Sequence, residues 1–89
     1  MKLKNHPYAQ CSAHVYSNGS IIFRSYNTDV IYIDKDGWLY VTGLYSATTR
    51  KQIGWFLNEY VPAFSYQYIK HLYFNDLILN IYTGEIKNE

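Results

Sequence analysis

The stretch from Ser25 to Tyr60 most constrains the fold of this chain. Two β-prone segments joined by a tight turn come first, and a polar linker and an amphipathic helix follow. The flanks are short and can only extend this order. A chain of 89 residues buries only about 60–65% of the surface that its unfolded form exposes, so it supports one two-layer core at most. We therefore expect a single domain over residues 1–89, with a loose lead-in at 1–7 and a polar tail at 85–89.

Residues 29–34 and 38–42 are predicted to pair as antiparallel strands around a tight turn. The turn sequence Asp34-Lys35-Asp36-Gly37 is typical, because glycine can adopt the left-handed conformation that closes it. Side chains alternate along a strand, so one face carries the aliphatic residues Ile31, Ile33, Leu39 and Val41 and the other carries Tyr32, Trp38 and Tyr40. The aliphatic face is the predicted core. The aromatic face is then either covered by a second layer or exposed.

Two further β-prone segments, at 8–17 and 20–25, precede this pair. Asn18-Gly19 between them predicts a hairpin, because both central residues of a type I′ turn need a positive φ. The polar break Tyr26-Asn27-Thr28 favours a bend or a bulge before the strand at 29–34. Residues 20–34 therefore form either one kinked strand or two strands.

A helix is predicted from about Thr49 to the residues before Pro62. Thr49 and Gln52 fit a T-x-x-Q capping box, with Thr48 as the competing cap. One apolar stripe follows the i, i+3, i+4, i+7 spacing and comprises Ile53, Phe56, Leu57 and Tyr60. Gly54 weakens a helix, which suggests that another backbone comes close to it.

Residues after Pro62 complete an α+β fold. For residues 63–74 we favour a short helix, with a strand as the alternative, and we expect a strand at 77–82 that ends at Thr83-Gly84. The expected architecture is a small antiparallel β-sheet of three to five strands, with one or two helices packed on one face.

No residue set in the chain indicates catalysis, a cofactor or a metal. Cys11, His14 and His6 are close in sequence, but a structural zinc site usually takes four ligands in two pairs, and no second pair is present. Cys11 and His14, three residues apart on a strand, point to opposite faces, which argues against a nucleophile and its base. Asp34 and Asp36 are interpreted as turn residues, since the other ligands of a calcium loop are missing. We expect a protein that is not an enzyme.

Aromatic residues are the candidates for binding. The chain is tyrosine-rich, with 11 Tyr, and 19% of its residues are aromatic. Tyr32, Trp38 and Tyr40, with Arg24 on a neighbouring strand, resemble a base-stacking platform and also a protein-binding hot spot. The alternative is that they pack under a second helix or in the interface of a homodimer. Tyr32, Trp38 and Tyr40 are the first choice for a binding surface, and the second choices are Arg24, Arg50, Lys51 and Trp55.

The segments SYNTDVIYID and GWLYVTGLYSATTRKQIGWFLNEY resemble a family of small uncharacterised proteins from phages and mobile elements of Gram-positive bacteria. Its members share S-Y-N-T, a strand pair, Y-S-x-T-T and a helix that often begins T-T-x-R-H-I. The matching residues are Ser25, Tyr26, Asn27, Thr28, Tyr45, Ser46, Thr48, Thr49 and Ile53. Gln52 stands where a histidine is common, which weakens any role that needs an imidazole ring.

This resemblance implies a phage or mobile-element origin more than a particular activity. Small phage-borne domains without catalytic motifs are often inhibitors of bacterial defence. The leading hypothesis is therefore a non-enzymatic binding protein, such as an anti-CRISPR protein that blocks a Cas effector by stoichiometric contact. The second is a nucleic-acid-binding accessory protein, although a formal net charge of +1 provides no bulk attraction to phosphates. The N-terminal residues lack the apolar core of a signal peptide, so we expect a protein of the bacterial cytoplasm without membrane contact.

Overall fold

The computed structural model describes residues 1–44 and 46–89, which form an α+β fold. The strands and helices are β1 (Cys11–Val15), β2 (Ile21–Ser25), β3 (Thr28–Ile33), β4 (Trp38–Val41), α1 (Ala47–Tyr60), α2 (Tyr66–Phe74), β5 (Leu77–Asn80) and β6 (Ile86–Asn88). The strands form one sheet in the order β1-β2-β3-β4-β5-β6, and all neighbouring strands are antiparallel. The predicted fold class is confirmed, with one strand more than the upper estimate.

The additional strand lies in the segment that was predicted to be a polar tail. The predicted strand at 77–82 ends earlier, at Asn80, because its side-chain Oδ1 accepts hydrogen bonds from the backbone N–H groups of Tyr82 and Thr83. Asn80 N then donates to the carbonyl of Glu85, at 2.8 Å, and β6 returns alongside β5. The side chains of β6 are all exposed, so hydrophobic patterning could not indicate this strand.

The other connections are tight turns. The predicted hairpin between β1 and β2 is present, but of its two central residues only Gly19 has a positive φ. It is therefore not a type I′ turn. The backbone N–H of Tyr16 donates to the carbonyl of Ser20, and the N–H of Gly19 donates to the carbonyl of Tyr16. These two hydrogen bonds match a three-residue loop that ends in a left-handed glycine. Residues 20–34 form two strands, β2 and β3, joined at Tyr26-Asn27 with Tyr26 at φ 55°. A shift in the β2–β3 register, typical of a β-bulge, lies before this turn, between Phe23 and Arg24.

Both helices pack on the aliphatic face of the sheet. The predicted core residues Ile31, Ile33 and Leu39 are fully buried, and Val41 packs against them. The apolar stripe of α1 faces this layer, and the ring of Phe56 stacks on Phe23 at 4.6 Å. Leu3 is also buried in the core, at 1% exposure, so the N-terminal residues are anchored rather than loose.

The start of α1 differs from the predicted capping box. Ser46 is the N-cap, and its side chain accepts a hydrogen bond from the backbone N–H of Thr49. Thr49 and Gln52 are instead buried inside the helix–sheet interface. Gly54 has no other backbone near it, because a Cβ there would meet no described heavy atom within 4 Å. The expectation of a close approach at Gly54 was therefore wrong.

Ser25, at the end of β2, bonds both of these buried residues. Its hydroxyl donates to Gln52 Oε1 at 2.6 Å and lies 3.0 Å from Thr49 Oγ1. Ser46 Oγ in turn donates to Thr49 Oγ1 at 3.2 Å, so if Thr49 donates to Ser25 the hydroxyls form one continuous chain. This network, defined as Ser25, Ser46, Thr49 and Gln52, ties the start of α1 to the sheet.

Ser25→Ala should destabilise the protein by about 1–3 kcal/mol, because it leaves the buried Gln52 carbonyl oxygen without its partner. Gln52→Leu should also destabilise, and the double variant should cost less than the sum of the two single changes because they share one interaction. Urea denaturation of the three variants measures these free energies. Strict additivity would show that the two side chains do not interact.

Gly37→Ala should destabilise the protein more than Gly19→Ala. Both glycines have a φ near +90°, which costs an L-residue roughly 1–2 kcal/mol. Of the two, only Gly37 has a neighbour that a new Cβ would overlap, the ring of Tyr82, whereas the space around Gly19 is open. Adding Tyr82→Ala to Gly37→Ala should remove the difference. Equal thermal unfolding of the two single variants would contradict the contact.

Candidate functional site

The side of the sheet opposite the helices is open to solvent. We define this outer face by the outward-pointing residues of the six strands, which are Ser12, His14, Ile22, Arg24, Asp29, Tyr32, Trp38, Tyr40, Ile78, Asn80 and Lys87. Among the described residues, no helix lies over it, because the buried side chains of both helices pack against the inward-pointing side chains of the strands, on the opposite side of the sheet. The predicted aromatic face is therefore not under a second layer of this chain.

The strand register aligns one row of side chains across this face. His14 is opposite Ile22, Ile22 is opposite Tyr32, and Tyr32 is opposite Tyr40. The rings of Tyr32 and Tyr40 stack with their centroids 5.8 Å apart. Tyr32 is 37% exposed, whereas Tyr40 is half-buried. The two tyrosines form the centre of the outer face.

Trp38 is partly covered by the neighbouring strands. Lys87 Nζ lies 4.1 Å from the centroid of the Trp38 ring, a cation–π contact. Ile78 points to the same side and is only 3% exposed, although it lies outside the core cluster. Trp38 is therefore partly covered by Lys87 and presents the rest of its surface to solvent.

The electrostatics of the outer face are locally balanced. Arg24 Nε bonds Asp29 Oδ1 at 2.8 Å, and both side chains are about half exposed. Burial raises the pKa of the Tyr40 phenol, and the nearby carboxylates of Asp34 and Glu89 raise the same pKa further. Tyr40 is therefore a neutral phenol at physiological pH and can both donate and accept a hydrogen bond.

The structure brings together only part of the predicted binding set. Tyr32, Trp38, Tyr40 and Arg24 share the outer face, as the alternation predicted. Three second-choice residues, Arg50, Lys51 and Trp55, belong to α1 on the other side of the sheet. Sequence reasoning missed His14 and Ile22, because the predicted two-residue turn at Asn18-Gly19 would place His14 opposite Phe23, whereas the observed loop places it opposite Ile22.

Trp55 makes contacts within the protein. Its ring stacks on His6 with centroids 3.7 Å apart and an interplanar angle of 10°, and Lys51 Nζ lies 5.5 Å from its centroid. Nearby, the backbone N–H of Lys4 donates to Glu59 Oε1 at 2.5 Å. These contacts hold the N-terminal segment against α1 and leave less of the Trp55 ring for a partner.

Cys11 and His14 lie on opposite sides of β1. Cys11 is buried in the core at 2% exposure, and burial raises the pKa of its thiol, which makes the thiolate nucleophile scarce. His14 points outward and its ring lies 4.4 Å from that of Tyr16. Within residues 1–44 and 46–89, no three His, Cys, Asp or Glu side chains are grouped to hold a metal ion.

Residues 1–63 match a protein family of unknown function, DUF8033. The chain belongs to this family. The match includes β1 to β4 and α1, and thus most of the outer face of this DUF8033 protein. Comparisons with curated proteins and with solved structures find no match. In the described part of the chain, neither helix has the length and apolar character needed to cross a bilayer.

Proposed function

We propose that this DUF8033 protein works by stoichiometric binding of a partner protein through its outer face. The supporting observation is an uncovered sheet face whose central residues are Tyr32, Tyr40 and Trp38, flanked by Arg24. Tyrosine, tryptophan and arginine are the residue types that contribute most energy to protein interfaces, because they combine large apolar area with directional polar groups. The residues also lie on β-strands, whose backbone is already ordered in the free protein, and this lowers the entropic cost of binding.

The proposed partner is a bacterial defence protein. The resemblance to small phage and mobile-element proteins supports this choice, because such proteins often block a defence nuclease by occupying its surface. The specific form of the proposal is an anti-CRISPR protein that binds a Cas effector in the cytoplasm of the bacterial host. No step of catalysis is needed for such inhibition, which fits a face built from stacked aromatic rings and one ion pair.

The charges on the outer face favour a protein partner over nucleic acid. A nucleic-acid site needs several unpaired cations aimed at phosphates. Arg24 bonds Asp29 through Nε, so its charge is partly offset and only its terminal NH₂ groups stay available, and Lys87 is placed over the Trp38 ring. Two further exposed cations, Arg50 and Lys51, are on the helical side, away from the stacked tyrosines. Nucleic-acid binding is the second candidate, and its expected mark is an affinity that falls steeply with salt.

A pull-down from a bacterial lysate that contains CRISPR effectors tests the proposal. The bait carries a C-terminal tag, and the lysate is used with and without nuclease treatment. We expect mass spectrometry to identify a defence nuclease that the bait retains after nucleic acid is digested. Retention that disappears with digestion would instead support the nucleic-acid candidate, and retention of no effector would contradict the inhibitor proposal.

Two variants locate the binding surface. Tyr32→Ala removes an exposed ring, and the double variant Trp38→Ala/Tyr40→Ala removes the other two aromatics, so both should lose the retained effector. The control Tyr8→Ala removes a 94% exposed tyrosine outside the outer face and should retain it. Circular dichroism verifies that each variant is folded. Unchanged retention and inhibition by the folded outer-face variants would disprove the surface assignment.

A further inference from the structure

A groove of about 270 Å³ lies on the outer face beside the tyrosine pair. Its lining residues come from the N-terminus, from β1 and β2, and from the turn between these strands, and they are Met1, Ser12, His14, Tyr16, Ile22 and Arg24. The groove is large enough for one or two side chains. Ile22 is half-buried and connects the groove to Tyr32, which is its cross-strand partner.

The side chains around this groove are rich in hydrogen-bond donors. Ser12 lies opposite Arg24 in the strand register, and His14 lies opposite Ile22. The hydroxyl of Ser12, the imidazole of His14 and the guanidinium of Arg24 can each donate a hydrogen bond. No carboxylate is among the residues that line the groove. The lining therefore complements an anion more than a cation.

Arg24 is oriented for such an interaction. Its Nε is bonded to Asp29 Oδ1, which fixes the plane of the guanidinium. Among the described residues, its two terminal NH₂ groups have no hydrogen bond with a protein atom. Those groups present a planar pair of donors, which is the arrangement that binds carboxylates in a bidentate manner.

We propose that this groove binds an Asp or Glu side chain of the partner protein, with the carboxylate on Arg24, Ser12 and His14. The inference rests on the proposed protein-binding function and specifies the chemistry of the partner's contact. Next to the carboxylate, the aliphatic part of the partner's side chain packs on Ile22, and its neighbouring residues contact Tyr32. The partner's epitope is thus an acidic residue beside an apolar or aromatic one.

The direct test uses small probes of defined charge. Titration of ¹⁵N-labelled protein with N-acetylglutamate N-methylamide should shift the amide signals of Ser12, His14 and Arg24 and the Arg24 Nε–H signal in a saturable way. The neutral matched probe, N-acetylglutamine N-methylamide, should cause much smaller shifts. Equal shifts with both probes, or shifts that map only to the helical side, would overturn the proposal.

Arg24→Gln should weaken binding of the glutamate probe by about tenfold or more, because it removes a charge-assisted pair of hydrogen bonds. The control Lys70→Gln removes a cation from α2 on the helical side and should leave the titration unchanged. Circular dichroism confirms that both variants fold. Probe affinity that is unaffected by Arg24→Gln would show that the groove does not bind the carboxylate.

The pull-down separates this inference from the proposed function. If Arg24→Gln loses the effector that the wild-type bait retains, both are supported. If Arg24→Gln retains the effector while Tyr32→Ala loses it, protein binding stands and the carboxylate groove is wrong. If the wild-type bait retains no effector but the glutamate probe binds at Arg24, the inhibitor proposal fails and the groove stands as an acidic-residue site.

Discussion

The alternation of side chains in a sheet that is covered on one side is the constraint on which the rest of this structure depends. Each strand sends one set of side chains to the helices and the other set to solvent. Aliphatic residues such as Ile31 and Leu39 form the buried set, and this commits Tyr32 and Tyr40 to the open side. A shift of one residue in any strand would exchange the two sets, so the core and the outer face are specified together.

The polar network of Ser25, Ser46, Thr49 and Gln52 joins two distant parts of the sequence. Ser25 ends β2, and Ser46 and Thr49 lie at the start of α1, yet their hydroxyls are joined by hydrogen bonds. A buried hydroxyl without a partner is costly, so these positions depend on one another. They coincide with residues of the S-Y-N-T and Y-S-x-T-T segments; Tyr45 of the second segment lies outside the described residues. The network thus attaches the start of α1 to the sheet.

Much of the fold could be predicted because its signals are local. The turn at Asp34–Gly37, the alternation in β3 and β4, and the stripe on α1 all act over a few residues. The errors have a different cause. Thr49 and Gln52 have the spacing of a capping box, but tertiary burial against Ser25 decided their role. Strand β6 has no buried side chain, and only its backbone pairing with β5 forms it. The participation of His14 and Ile22 in the outer face depends on strand register, which is a non-local property.

The central claim is that the outer face is open in the free protein and available to a partner. The most direct measurement is solvent paramagnetic relaxation enhancement with a neutral gadolinium chelate, read on the side-chain signals of Tyr32, Ile22, Phe23 and Ile31. We expect strong enhancement for Tyr32, intermediate enhancement for Ile22, and little for Phe23 and Ile31, which are fully buried. Protection of Tyr32 equal to that of Phe23 would contradict the claim, because the face would then be covered by a second copy of the chain.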